Sequence, residues 1–390
     1  MIPTGNRVIR TIVRRPPLVR ARPMAGHAFA VLIWTLAAFI GFQCLFSWII
    51  DRWDPGLRDQ EYGRKLSLLR AQVTEHPHRP LVLALGTSRT VYGLRPGAIS
   101  SVNAQQVPSE TEPLVFNFGV LGGGPFYELV YLNRLLDEGI VPTTVLIEVH
   151  PPLLHDVPDL SFVLAPVVER CDARDLAVLR RFTASPIRLY AQWLRLRIAT
   201  CHRYRYALIS RAAPRWLSET PQPDPQGLTQ TDQLGWVPYP WEAPSDSVRH
   251  ERSLQTVAAY ECALRDYAIS DAPDRALREM LEVCRSRQID AALVIMPEES
   301  EYRRTFASRT HARVEAYLDA LCVECDVPLF DTREWCGDTE FGDAQHLLRE
   351  GADHFSAMFT GDRLRPWLTA KRDDPAASVA RRPGSTAQPK

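Results

Sequence analysis

The sequence has no charge excess of either sign: Lys and Arg number 46 together, as do Asp and Glu. Nucleic-acid binders normally carry a basic surplus, so the balance argues against nucleic acid as a partner. No internal repeat is present. Neither HExxH nor comparable metal-ligand spacing occurs, and the sets His150, His155, Asp156 and Asp343, His346, His354 give no basis for metal catalysis. No GxGxxG loop occurs, so no dinucleotide or other cofactor is expected. Cys322-Val-Glu-Cys325 has no second CxxC beside it and follows a helical pattern, whereas a thioredoxin-type motif would open a helix. Buried or disulfide-bonded cysteines are the plainer reading.

One absence is local. Residues 1–50 contain no Asp or Glu, while Arg7, Arg10, Arg14, Arg15, Arg20 and Arg22 precede Met24. From Ala25 to Ile50 there is no charged residue at all. At ~1.5 Å per residue that run exceeds a ~30 Å hydrocarbon core, and a buried globular helix of this length would carry a polar stripe. Trp48 and Trp53 fall where an interfacial aromatic belt would be. The run is too long for a cleaved signal peptide and ends in SWIIDRWD, so an uncleaved signal-anchor is expected. By the positive-inside rule, residues 1–24 form a basic cytoplasmic tail. The body from about residue 51 then lies outside the cytoplasmic membrane, in the periplasm or extracellular space, or in a lumen. Of eight cysteines, Cys44 is in the span and seven follow, so at least one is free or pairs between chains.

The 390 residues, 45% of them apolar, suggest two or three domains or one large domain with an insertion. After a juxtamembrane helix within 51–77, buried-strand runs occur at Pro80–Gly86, Leu114–Phe118, Thr144–Val149, Ala291–Met296 and Val327–Phe330. A helix from about Phe126 to Glu138 and other helix-period segments alternate with them, predicting an α/β fold with a parallel sheet flanked by helices. Residues 152–275 interrupt that rhythm as a helical insertion. Its basic, aromatic stretch SPIRLYAQWLRLRIATCHRYRYALISRAAPRWL suits anionic glycan or lipid headgroups, or a solvated or membrane-facing helical surface. A Pro-rich segment at about 219–248 reads as loop, and residues 371–390 as a disordered tail.

Three segments after strands carry candidate chemistry. In Gly86-Thr87-Ser88-Arg89-Thr90, a sharp strand-to-helix turn would expose the Ser88 hydroxyl beyond the sheet's carboxyl edge. In Asn117-Phe118-Gly119-Val120-Leu121-Gly122-Gly123-Gly124, glycines allow close backbone approach and present N–H donors, or simply make a tight turn. In Phe341-Gly342-Asp343-Ala344-Gln345-His346, the acid can orient the imidazole so that its other nitrogen takes the serine proton. Alternatively, Asp343 caps a helix beginning near Ala344 and His346 is a surface residue.

These blocks, in the order Ser, Asp, His, resemble the SGNH (GDSL-type) hydrolase superfamily, in its membrane-anchored extracytoplasmic branch. That branch includes alginate O-acetyltransferase and D-alanyl-teichoic-acid transfer proteins. The resemblance covers about residues 78–155 and 288–362 and implies a flavodoxin-like sheet within an SGNH-type domain over 78–370. It further implies Ser88 as nucleophile, His346 as base, Asp343 as orienting acid, and Gly122 as an oxyanion donor. Arg89, Asn117 and His150 join the oxyanion or binding set. Where many members carry Gly-x-Asn-Asp after the third strand, this chain has Glu148-Val149-His150-Pro151-Pro152, so a side-chain amide donor is missing. His150 could replace it or be an ordinary strand-end histidine.

The implied activity is acyl transfer through Ser88, by a serine esterase, deacetylase or O-acyltransferase acting on a cell-envelope or exported polysaccharide. The implied partners are the membrane, an acylated glycan or other acyl ester, and a membrane acyl-donor protein. Two other readings stay open. One is a non-catalytic envelope protein that binds glycan or scaffolds a polysaccharide synthesis or export complex; the other is a thiol–disulfide protein using Cys322 and Cys325.

Overall fold

The computed structural model describes residues 24–101, 112–155, 160–216, 228–265, 267–305 and 308–373. The arginine-rich tail and residues 374–390 lie outside them. Five strands, β1 (Leu81–Leu85), β2 (Leu114–Asn117), β3 (Thr144–Glu148), β4 (Asp290–Ile295) and β5 (Leu329–Asp331), form one all-parallel sheet in the order β2-β1-β3-β4-β5. Each lies within about two residues of its expected run.

The reason for those apolar runs is visible in the packing. Side chains alternate across a strand. Along β1, Leu81, Leu83 and Leu85 enter one core while Val82 and Ala84 enter the core on the other face. Ala291, Leu293 and Ile295 alternate with Ala292 and Val294 along β4 in the same way. With both faces covered, the strand interiors favour apolar residues, and the buried polar Asn117 and Glu148 fall at the carboxyl ends of β2 and β3. The Asp271–Ser286 helix buries Ala272, Ala276, Leu277, Met280, Leu281 and Cys284, a three-and-four spacing that makes one apolar stripe. The Pro125–Asp137 helix is buried on nearly every side.

Strand order reverses between β1 and β3, so the loops leaving their carboxyl ends diverge and open a crevice. The loop after β2 borders the same edge. The insertion supplies helices Leu160–Arg170, Ala173–Leu179, Pro186–Arg197, Thr200–Arg203, Arg205–Ala212 and Asp246–Arg265. The last helix, Arg365–Asp373, takes in residues 371–373, so those three do not belong to the expected disordered tail.

The Met24–Trp53 helix is long and apolar enough to cross a membrane by length and composition. Residues 27–39 are exposed on all sides, whereas Gln43, Ser47 and Ile50 form one covered face. The chain breaks at Asp54 before the Gln60–Glu75 helix, which Asp59 caps by accepting the Tyr62 N–H.

Candidate active site

Ser88 is the first residue of the Ser88–Gly93 helix, directly beyond β1. Thr87 caps that helix by accepting the Arg89 N–H at 3.1 Å. Beneath the turn lies the buried carboxylate of Glu148, at the end of β3. It accepts hydrogen bonds from the Thr87 N–H (2.7 Å), the Thr87 hydroxyl (2.9 Å) and the Thr90 hydroxyl (2.6 Å). A buried carboxylate needs such donors, and here they are the groups that hold the serine turn. Gly86 is required for this approach. A Cβ at that position would stand 2.1 Å from the Thr90 hydroxyl and 2.5 Å from the Glu148 carboxylate.

Asp343 and His346 sit in a tight loop closed by the Gly342 N–H on the His346 carbonyl (2.9 Å). The next helix begins only at Arg349, so Asp343 is not its cap. Instead, one Asp343 oxygen accepts the N–H groups of Gln345 and His346, both at 2.9 Å. The other lies 2.8 Å from His346 Nδ1, and His346 Nε2 lies 2.7 Å from Ser88 Oγ. With Nδ1 donating to the carboxylate, Nε2 is left to accept the serine O–H. Burial pushes the Asp343 carboxyl up, but the His346 charge and the hydrogen bonds outweigh it and hold it at about 2. Ser88 and His346 are half-buried and Asp343 is buried, so the line opens outward at the hydroxyl.

A third element reaches this loop from the insertion. The Tyr239 hydroxyl donates to the Asp343 oxygen at 2.9 Å, and its ring stacks on His346 with 5.8 Å between centroids. Burial first, then the neighbouring Asp343 charge, raises the Tyr239 phenol well above its ordinary range, so it remains a donor. Tyr92, from the Ser88 helix, meets the same imidazole edge-on. The segment carrying Tyr239 is ordered by its own contacts. Leu234 accepts the Asn117 N–H, Val237 donates to Val91, and the Trp236 indole donates to Tyr92. Part of the Pro-rich stretch read as plain loop therefore forms a wall of the site.

The glycine block is held from below by the juxtamembrane helix. Lys65 Nζ donates to the Gly119 carbonyl at 2.6 Å, and Glu61 accepts the Leu121 N–H at 3.0 Å. Burial lowers the Lys65 ammonium to about 8 against the opposing pull of Glu61 and Asp232. Gly122 follows this clamp with φ +67°, a conformation few other residues adopt, and is exposed.

The remaining sequence candidates point their side chains elsewhere. The buried Arg89 guanidinium donates to the carbonyls of Met296 (2.6 Å) and Pro297 (3.0 Å) and pairs with Glu298 at 3.2 Å. Asn117 donates to the carbonyls of Thr90 and Leu94, both at 2.6 Å, tying β2 to the Ser88 helix. His150 is buried with Nε2 3.2 Å from the Tyr302 hydroxyl. Burial and the nearby Arg89 charge hold it well below its usual range, hence neutral. The contacts observed for these side chains lie inside the fold, although Nε and Nη1 of Arg89 are buried without a hydrogen-bond partner.

Sequence reasoning missed Glu61, Lys65, Tyr239 and the role of Glu148. The only signal for Tyr239 was the aromatic density of Trp236-Val-Pro-Tyr-Pro-Trp241 in an otherwise polar loop. Among the described residues, Cys322 and Cys325 are free thiols. Burial pushes both up, away from the thiolate a redox site needs. No family model and no curated protein matches the chain.

Proposed function

We propose that this chain is a membrane-anchored, extracytoplasmic acyl-transfer enzyme with a flavodoxin-like, SGNH-type catalytic domain and Ser88 as nucleophile. The observation that carries the proposal is the continuous Ser88–His346–Asp343 hydrogen-bonded line at the carboxyl edge of the parallel sheet. A serine hydroxyl on an imidazole that is oriented by a buried, ionised carboxylate is the arrangement nucleophilic acyl chemistry requires.

In this reading Ser88 Oγ attacks the acyl carbonyl of an ester as its proton passes to His346 Nε2. The tetrahedral oxyanion meets the N–H of Ser88, which has no acceptor within its helix, and that of Gly122. Collapse breaks the ester bond, and the departing alcohol takes the proton from His346, leaving acyl-Ser88. An incoming hydroxyl then gives its proton to His346 and attacks the acyl group, and Ser88 recovers a proton as it leaves. Water as acceptor makes the protein an esterase or deacetylase; a sugar hydroxyl makes it an O-acyltransferase. The Met24–Trp53 helix and the tail arginines support an N-terminus inside, a body outside, and an envelope or exported polysaccharide as substrate. A membrane acyl-donor protein would supply the acyl group for transfer.

The test is labelling of the full chain in detergent with a fluorophosphonate, alongside Ser88→Ala and His346→Ala. Labelling of the parent that both substitutions abolish is the expected result. A folded parent that does not label would instead favour a glycan-binding or scaffolding protein.

A further inference from the structure

Between Pro186 and Trp216 the chain has seven arginines and no Asp or Glu. The Pro186–Arg197 helix of this segment has two apolar sides, not one. Leu189 is buried and Trp193 and Leu196 pack beside it on the core. Yet Ile187 (82% exposed), Tyr190, Leu194 and Ile198 are also apolar and face outward. At ~100° per residue, 187, 194 and 198 fall within about 40° of one another, and Arg188 and Arg195 fall beside that stripe. Both arginines are exposed and have no carboxylate partner among the described residues. Tyr206 and Trp216 (74%), later in the same segment, are exposed as well.

The location of this face is set by what lies behind it. The Cys201 N–H donates to Gln43 at 2.9 Å, Arg197 pairs with Asp51 at 3.1 Å, and Tyr204 packs against Ile50. These contacts fall on the last third of the Met24–Trp53 helix, where one face is covered. The preceding residues 27–39 are bare on all sides. From His27 to Trp53 that helix spans about 40 Å, against a hydrocarbon core of ~30 Å. The surplus is the part the insertion grips, which puts the 186–216 helices at headgroup depth. Exposed Trp48 and Trp53 lie at the same level.

We propose that residues 186–216 form an interfacial platform that rests on the anionic lipid surface of the membrane crossed by the Met24–Trp53 helix. Ile187, Leu194 and Ile198 enter the headgroup boundary, and Arg188 and Arg195 contact lipid phosphates. The occupant is lipid, rather than a second protein, because the surface combines unpaired arginines with apolar residues and is continuous with a helix of membrane-spanning length. Such a platform would fix the tilt of the domain, and so the height of Ser88 above the bilayer. The inference rests on the membrane reading of the Met24–Trp53 helix, not on the acyl chemistry.

Full-length protein carrying the photoreactive p-benzoylphenylalanine in place of Ile187, Leu194, Leu32 or Val323, one per variant, would be reconstituted in phosphatidylglycerol-containing vesicles and irradiated. Leu32 reports the membrane helix, and Val323 (84% exposed) a surface on the helix behind β5. The expected result is lipid adducts at 187 and 194 at least about fivefold above those at 323, falling in phosphatidylcholine vesicles or when Arg188→Gln and Arg195→Gln are added. Adducts at 32 but not at 187 and 194 overturn the platform while keeping the anchor. Protein adducts at 187 or 194, from irradiated cell membranes, overturn it in favour of a partner chain. Absence of lipid adducts at 32 overturns the membrane reading and the platform with it.

Discussion

Two polar clusters in this molecule are built from similar parts and behave differently. At the sheet's carboxyl edge, Ser88, His346, Asp343 and Tyr239 form a line with one half-buried end. Behind the glycine block, Asp59, Glu61, Arg134, Arg170 and Asp175 form a network in which Glu61 meets Arg170 at 2.8 Å and Arg134 meets Asp175 at 2.7 Å. Asp59 pairs with both arginines, and Tyr131 donates to it. In the network every charge closes on another, so its atoms are committed to geometry. Among the described residues the Ser88 hydroxyl has no acceptor other than His346, so the line ends at an open, half-buried position. What separates a site from a structural knot here is the open end, not the residue types.

The largest contrast is expected from Ser88→Ala. Labelling should fall by about a thousandfold or more, while stability stays within about 0.5 kcal/mol of the parent. A melting shift equal to that of a core substitution would erase the distinction between the clusters. Glu61→Ala should do the reverse. It removes the nearer of the two carboxylates on half-buried Arg170, which keeps Asp59, and leaves the Leu121 N–H without its acceptor, so it should cost about 1–3 kcal/mol in denaturant unfolding. An unchanged midpoint would show that the network is solvated rather than closed.

Lys65→Met sharpens the boundary, because Lys65 belongs to the network side but touches the Gly119 carbonyl. The labelling rate per folded molecule should drop roughly tenfold through misplacement of the glycine block. A rate equal to the parent's would remove the juxtamembrane helix from the site. Acid titration gives a smaller effect. A carboxyl held at about 2 against an ordinary 3.8 contributes stability above pH 4 that is lost as pH falls toward 2. That is about 2 kcal/mol at ~1.4 kcal/mol per unit, and Asp343→Asn should flatten this part of the stability profile. Tyr239→Phe should have the smallest effect, a labelling rate lower by about fivefold from loss of one hydrogen bond of ~1 kcal/mol, with the ring stack retained.

The strands were legible because burial on both faces leaves an uninterrupted apolar run in the sequence itself. Ser88, Asp343 and His346 were legible for a different reason: each follows or borders a predicted strand end, where loops of an α/β sheet converge. Glu148 was visible only as a departure from a motif. Its use became apparent when β1 and β3 proved to be neighbours, 61 residues apart along the chain from Thr87. Tyr239 meets Asp343 across 104 residues and Lys65 meets Gly119 across 54, with no local spacing to mark either contact.

By itself, then, the sequence determined what depends on local pattern: an apolar helix after a basic tail, five buried strands, and three polar loops at their ends. Periodicity and composition carry that information because each element's environment is uniform along its length. Only the tertiary structure decided which side chains share the candidate site, that Arg89, Asn117 and His150 direct their hydrogen bonds into the fold, and that the insertion and juxtamembrane helix border the same edge of the sheet. Those outcomes depend on hydrogen bonds between residues far apart in the chain, whose partners are chosen by packing rather than by spacing.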